Sequence, residues 1–213
     1  MAAMNAPGLA TAAWQAFAVS GAPEDRWTLR DGRNVAIRAV RADDAARIQA
    51  MVQALSPRTR YLRFFNPLHE LPPALLASFT EADPFHAMTI LATIEQDGEE
   101  RVVGMAHYFS EDYPEQCEFA LLVADGWQGA GLGARLLHNL ICIAVAAGFG
   151  RMEGELLAEN ITMRRLALSH AFTLAPHPGG AYLVKALKTL VQPAWKCSQL
   201  AALARHASHR LIH

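Results

Sequence analysis

The sequence predicts an α/β (α+β) domain with a central mixed, mostly antiparallel sheet and flanking helices, in the order β-α-α-β-β-β-α-β-α-β. Three observations predict it. Three β-prone runs at residues 87–94, 102–109 and 115–123 follow one another, the first two separated by the turn signal Gln96-Asp97-Gly98, as an antiparallel meander requires. The third run enters a glycine-rich turn ending at Gly133 and then an amphipathic stretch through Ala147, a strand-to-helix passage. The chain's 213 residues, 52% of them apolar, suffice for one substantial core and are short for two.

The elements follow in order. Residues 27–29 and 35–40 are β-prone runs separated by Asp31-Gly32, a hairpin signal. Asp43 and Asp44 open a helix to about Leu55. Ser56-Pro57 restarts another through Phe64, with serine as N-cap and proline at the first helical position. Pro72-Pro73 precedes a third, short helix to about Phe79. After the meander and the long helix come a strand at 151–157, a helix at 160–170, and one or two terminal strands over 173–187, broken near Pro176-His177-Pro178-Gly179-Gly180. Pro193 starts a last helical stretch through about Arg210, with Leu200, Leu203, Ala204 and Ala207 able to share a face that packs on the domain or on a partner, which leaves a homodimer open.

The turn between residues 126 and 133 is built like a diphosphate cradle. Glycines let backbone N–H groups approach an anion, and the following helix adds the positive end of its dipole. Two familiar cradles fail on spacing. A nucleotide P-loop ends in Gly-Lys-Ser/Thr, whereas Ala134 and Arg135 follow Gly133. The dinucleotide fingerprint needs G-x-G-x-x-G, whereas the glycines stand at 129, 131 and 133.

What remains is Gln-x-x-Gly-x-Gly, at Gln128, Gly131 and Gly133, preceded by a strand ending at Val123. It resembles motif A of the GNAT superfamily of N-acetyltransferases. The resemblance covers about residues 27–187 and implies a GNAT fold that uses acetyl-CoA. It implies that the backbone of Leu121, Leu122 and Val123 pairs with the pantetheine arm, and that the turn of Gln128, Gly129, Ala130, Gly131, Leu132 and Gly133 binds the pyrophosphate. Asn160 matches the asparagine starting the family's next helix near the thiol end; it also reads as a plain N-cap. The family commonly closes that helix with Gly-Phe where this chain has Ala171-Phe172, so the helix stop is expected to be built differently. In this reading residues 1–26 are an N-terminal extension, 27–188 the acetyltransferase domain and 189–213 a C-terminal helical extension.

A narrower resemblance, carried by Ser56-Pro57, Arg60-Tyr61-Leu62-Arg63-Phe64-Phe65 and Cys117-Glu118-Phe119-Ala120, is to the catalytic domains of bacterial protein-lysine acetyltransferases. It implies a protein lysine as acceptor and Glu118 as general base. Tyr61, Phe64 and Phe65 read equally as helix-end packing or as lining of the acceptor groove.

Chemistry agrees that a base is needed. An amine attacks a thioester only as the free base, and a lysine ammonium has a pKa near 10.4, so a carboxylate must accept the proton. Glu118 precedes Val123 by five residues, which in regular β-structure puts the two on opposite faces unless a bulge intervenes. Glu111, Asp112 and Glu115 are the alternatives. For protonating the leaving thiolate, Tyr182 and Ser169 are candidates that no spacing selects. A small-molecule amine as acceptor, or a non-catalytic CoA-binding sensor, are the competing readings.

Composition excludes other classes. A formal net charge of -1 gives no chain-wide basic surface for nucleic acid or anionic lipid. No apolar run approaches the ~20 residues of a spanning helix, and no Lys or Arg precedes Arg26 to form a signal peptide's n-region, so a cytoplasmic enzyme with no membrane contact is expected. Cys117, Cys142 and Cys197 are odd in number and widely spaced, which argues against a disulfide framework or a thiolate metal site. His206, His209 and His213 read as a solvated tail, and no metal is expected.

Overall fold

The structure, a computed structural model, describes residues 25–80, 85–111 and 114–191. The helix expected from Pro193, most of the N-terminal extension and the terminal histidines lie outside them. Within them an eight-stranded sheet runs in the order β1-β2-β3-β4-β5-β6-β8-β7. The strands are β1 (Asp25–Thr28), β2 (Asn34–Ala39), β3 (Ala87–Gln96), β4 (Glu99–Phe109), β5 (Gln116–Val123), β6 (Arg151–Leu157), β7 (Thr173–Pro176) and β8 (Leu183–Thr189). The helices are α1 (Ala45–Ala54), α2 (Pro57–Phe64), α3 (Pro73–Thr80), α4 (Leu132–Ala147) and α5 (Ile161–Ser169).

The expected order holds, with the first hairpin and the terminal segment each contributing two strands. Ser56 caps α2 as its sequence predicts, its side chain accepting from the Thr59 N–H. The β3–β4 connection turns on Asp97 (φ 56°) and Gly98 (φ 77°), the paired positive φ values that suit a tight hairpin. At the end of α5 the structure corrects an expectation. Ala171 adopts φ 60°, so the left-handed stop is made after all, by an alanine instead of a glycine. The Phe172 N–H bonds the Ala167 carbonyl across it, and the buried Phe172 ring holds the strained residue in place.

Strand alternation divides the core in two. On one face Phe119, Val123, Ile37 and Ile90 pack under α4, whose Leu136, Leu137, Leu140 and Ile143 are fully buried. On the other, Leu91, Met105 and Leu122 meet Ile48 and Val52 of α1 and Phe79 of α3. At the sheet's edge, Asp25 of β1 takes two hydrogen bonds from Arg135 (2.6 and 2.7 Å) and one from Asn139, tying the first strand to α4. Cys117 is a free, buried thiol, its pKa pushed well up by burial. Cys142 is disulfide-bonded, which departs from the expectation of isolated thiols.

Candidate active site

One pairing differs from all others in the sheet. β5 and β6 run parallel and pair only at Gln116↔Arg151, Cys117↔Met152 and Glu118↔Glu153. Beyond Glu118 the strands part. Just past the last pair Phe119 lies close against Gly154, where a Cβ would fall 2.6 Å from the Phe119 ring and 3.0 Å from its carbonyl oxygen. The Phe119 ring therefore lies over the bare backbone of β6 and packs at a tilt of 46° on Phe172, centroids 4.9 Å apart.

The gap opens a cavity of about 360 Å³, within the range of small-molecule sites. Its lining combines β5 (Glu118 to Val123), the turn (Gln128, Gly129, Gly133), α2 (Arg63, Phe64), β6 (Glu155, Leu156) and the start of α5 (Asn160, Met163, Leu166). Because it passes between two strands, the cavity is reached from both faces of the sheet. That answers the alternation problem without a bulge: β4 and β5 pair in unbroken register from Gly104↔Val123 to Phe109↔Glu118, so Glu118 and Val123 do project oppositely, yet both line the opening.

Of the residues expected at the cofactor, Leu121, Leu122, Val123, Gln128, Gly129, Gly133 and Asn160 line this cavity, while Ala130, Gly131 and Leu132 stand behind it. Ala130 and Leu132 are buried in the core. Gly131, at φ 95°, is the N-cap of α4 and abuts Trp27 of β1, where a Cβ would come within 3.2 Å. Gly129 (φ 77°) has open space around its Cα, which suits a backbone that must be approached closely. Gln128 closes the turn on the protein itself, its amide donating to the Val123 carbonyl (3.0 Å) and Thr59 Oγ1 (3.3 Å). Asn160 Oδ1 accepts from the Met163 N–H (3.0 Å), a true N-cap on the cavity wall.

Asp125 joins the turn to α2. It accepts from Thr59 Oγ1 (2.6 Å) and from both the N–H and the hydroxyl of Ser56 (2.8 Å each), bonds that hold its carboxyl below the usual range against a partial burial that would raise it. Nothing local in the sequence announces this tie, whose partner lies 69 residues away.

Glu118 is half-buried, and its pKa is raised first by burial, then by the charges of Glu155 and Glu153; Arg63 and Lys185 pull the other way. A carboxylate with no hydrogen-bonded cation and a raised pKa is a better proton acceptor than one held ionised by a cation. Arg63 faces it without a hydrogen-bond partner for its Nε, and burial brings its guanidinium down to about 10. The alternatives for the base stand elsewhere: Glu111 and Glu115 are exposed and outside the cavity, and Asp112 lies outside the described residues. Ser169 donates its hydroxyl to the Leu166 carbonyl (2.8 Å), and Tyr182 is largely exposed. Phe64 and Phe65 line the cavity, and Tyr61 does not. Arg63, Gly154 and Glu155 were not singled out from sequence, although a glycine between two glutamates inside a strand is itself a sign of close backbone approach.

A splayed parallel pair above a glycine turn and a helix N-terminus meets the sequence comparisons directly. A sequence model of the acetyltransferase (GNAT) family matches residues 49–172. The chain belongs to the GNAT acetyltransferase family. An acetyltransferase of Pseudomonas aeruginosa is 39% identical over 150 residues, 70% of this chain and 81% of that protein. The GNAT domain of PAT from S. lividans superposes with a TM-score of 0.71 at 26% identity, covering 78% of this chain and 97% of that one. A putative acetyltransferase from Salmonella typhimurium, solved with its cofactor acetyl-CoA, shares the fold at 21% identity and a TM-score of 0.57, over 78% and 99% of the two chains. The protein is thus an acyl-CoA-dependent N-acyltransferase that uses acetyl-CoA and an amine acceptor. The cavity fits that cofactor: the unpaired edge of β5 offers backbone groups to an amide-bearing arm, and the turn at Gly129 offers N–H groups to phosphate. Among the described residues no helix is long and apolar enough to cross a membrane, and no group of three or more potential ligands could hold a metal ion.

Proposed function

We propose that the acceptor is the side chain of a lysine on a folded protein and that Glu118 is its general base. The observation that carries this reading is Glu118 itself, half-buried at the point where β5 and β6 part, without a hydrogen-bonded cation and with a raised pKa. Phe65, at the mouth of the cavity on the end of α2, is 38% exposed, so the opening presents an apolar rim that an extended side chain can cross. The S. lividans domain belongs to a protein acetyltransferase, which supports the same acceptor class.

In this mechanism the free amine attacks the thioester carbonyl directly. One N–C bond forms, the C–S bond breaks, the amine proton passes to Glu118, and the CoA thiolate leaves with the bonding pair. A thiolate whose conjugate acid has a pKa near 8.5 needs little protonation to depart. Leu121 to Val123 hold the arm in line, and Asp125 keeps α2 against the turn so that the cavity retains its width.

The test is CoA release measured across protein lysines, polyamines, amino acids and aminoglycosides. A protein lysine is expected to give the highest kcat/KM. A much higher value for a small amine would move the acceptor to that class, and thiol release with none of them would favour a CoA-binding sensor.

A further inference from the structure

The broken segment Pro176 to Gly180 joins β7 to β8 and carries one side chain back to the site. His177 Nε2 lies 2.7 Å from Glu155 Oε1, and Glu155 lines the same cavity as Glu118. The other ring nitrogen is committed: His177 Nδ1 accepts the Gly179 N–H at 2.9 Å. An accepting Nδ1 leaves the proton on Nε2, so the neutral ring donates to Glu155. Gly179 permits this, because the position of a Cβ there falls 2.8 Å from His177 Nδ1. The loop therefore serves to aim an imidazole at one oxygen of one carboxylate.

Glu118 and Glu155 share a face of the sheet. Glu118 pairs with Glu153, and Glu155 lies two residues further along β6, on the side where β5 has moved away. Their surroundings differ. Glu155 is fixed by His177 through Oε1, while no described residue bonds its Oε2. Glu153 is engaged by Lys185 of β8 (3.1 Å). Glu118 has Arg63 from α2 and Lys185 nearby as charges but no hydrogen bond from either.

We propose that Glu155, oriented by His177, is the carboxylate that binds the acceptor's ammonium in the cavity and delivers its nitrogen to Glu118. The inference rests on the reading of the acceptor as a cationic amine and adds the residue that recognises the cation. The two carboxylates divide the work by environment: the one that His177 holds by a hydrogen bond attracts the cation, and the one left without a donor exchanges the proton. The facing groups are Arg63 on α2, Glu153 on β6, Lys185 on β8 and His177 on the β7–β8 loop. His177 acts through Glu155 and is a positioning residue.

The experiment compares Glu155→Gln, His177→Ala and His177→Gln with the wild type, using a lysine acceptor and an aryl amine that is uncharged at neutral pH. Glu155→Gln should raise KM for lysine about tenfold, as loss of one attraction between charges at a partly solvated site does, and leave KM for the aryl amine and for acetyl-CoA unchanged. Removing its charge should also move the acidic limb of kcat/KM to lower pH, because a neighbour that raises the Glu118 pKa is gone. His177→Ala should raise lysine KM severalfold, and His177→Gln, whose amide can occupy the place of Nε2, should restore most of it. A lysine KM in Glu155→Gln within twofold of the wild type would overturn this role of Glu155 while leaving lysine as the acceptor. A wild type that acetylated only the uncharged amine would instead overturn the acceptor reading, and this proposal with it.

Discussion

Gly131 and Gly133 sit two residues apart in the turn, and the structure gives them opposite responses to the same substitution. Gly131 has φ 95°, a region costing a non-glycine residue about 1–2 kcal/mol, and an added Cβ would press on Trp27 at 3.2 Å. Alanine also restricts the unfolded chain, which returns about 0.4–1 kcal/mol. Gly131→Ala should therefore lose about 0.5–1.5 kcal/mol, a fall in Tm of about 1–6 °C for a chain of this size. Gly133 lies inside the first turn of α4 without a positive φ, and its Cβ would meet Leu166 at 3.4 Å, an ordinary contact. Gly133→Ala should gain about 0.5–1 kcal/mol, since glycine is a poor helix former, and raise Tm by about 1–4 °C. The assay is thermal unfolding without acetyl-CoA, because bound ligand adds its own stabilisation. Function should separate the pair the other way. Gly133 lines the cavity and Gly131 does not, so the KM for acetyl-CoA should move more in the stabilised variant. Two shifts of the same sign, or a Gly131→Ala protein as stable as the wild type, would show that the turn does not have the described geometry.

Three further substitutions have expected outcomes. Glu118→Gln should lower turnover at neutral pH by about 10²- to 10⁴-fold with a nearly constant KM for acetyl-CoA, a deficit that narrows in rate measurements at high pH as the amine loses its own proton. Burial and the neighbouring glutamates raise the folded-state pKa of Glu118, so its ionisation above the unfolded value opposes folding; the Gln variant should be the more stable protein at pH 7, and denaturant curves should converge below about pH 4.3. Asp125→Ala removes three acceptor contacts to α2 and, at an exposed and solvent-screened site, should cost about 0.5–1.5 kcal/mol in urea unfolding at pH 7, a difference that narrows as the pH falls through the lowered pKa of Asp125. Ala171→Gly should stabilise by up to about 1 kcal/mol by relieving φ 60° at the end of α5, and no change in Tm would mean the alanine is not strained there.

Local chemistry was enough for much of this protein. The Ser56-Pro57 helix start, the Asp97-Gly98 hairpin, the strand entering the glycine turn and the N-cap at Asn160 each depend on residues within a few positions of one another, so the sequence alone determined them. Glu118 was legible as a candidate base because amine acetylation demands a proton acceptor and the resemblance to lysine acetyltransferases implies one at that position. What only the tertiary structure decided involves partners far apart in the chain. β5 parts from β6 beyond Glu118, and Phe119 there lies against Gly154, 35 residues on. The tie from Asp125 to Ser56 spans 69 residues, and the hydrogen bond from His177 to Glu155 spans 22. Periodicity and propensity report on one segment at a time and carry no information about which segments meet. The width of the cavity, the pKa of Glu118 and the second carboxylate facing it are set by such meetings, and so they emerge only once the sheet is assembled.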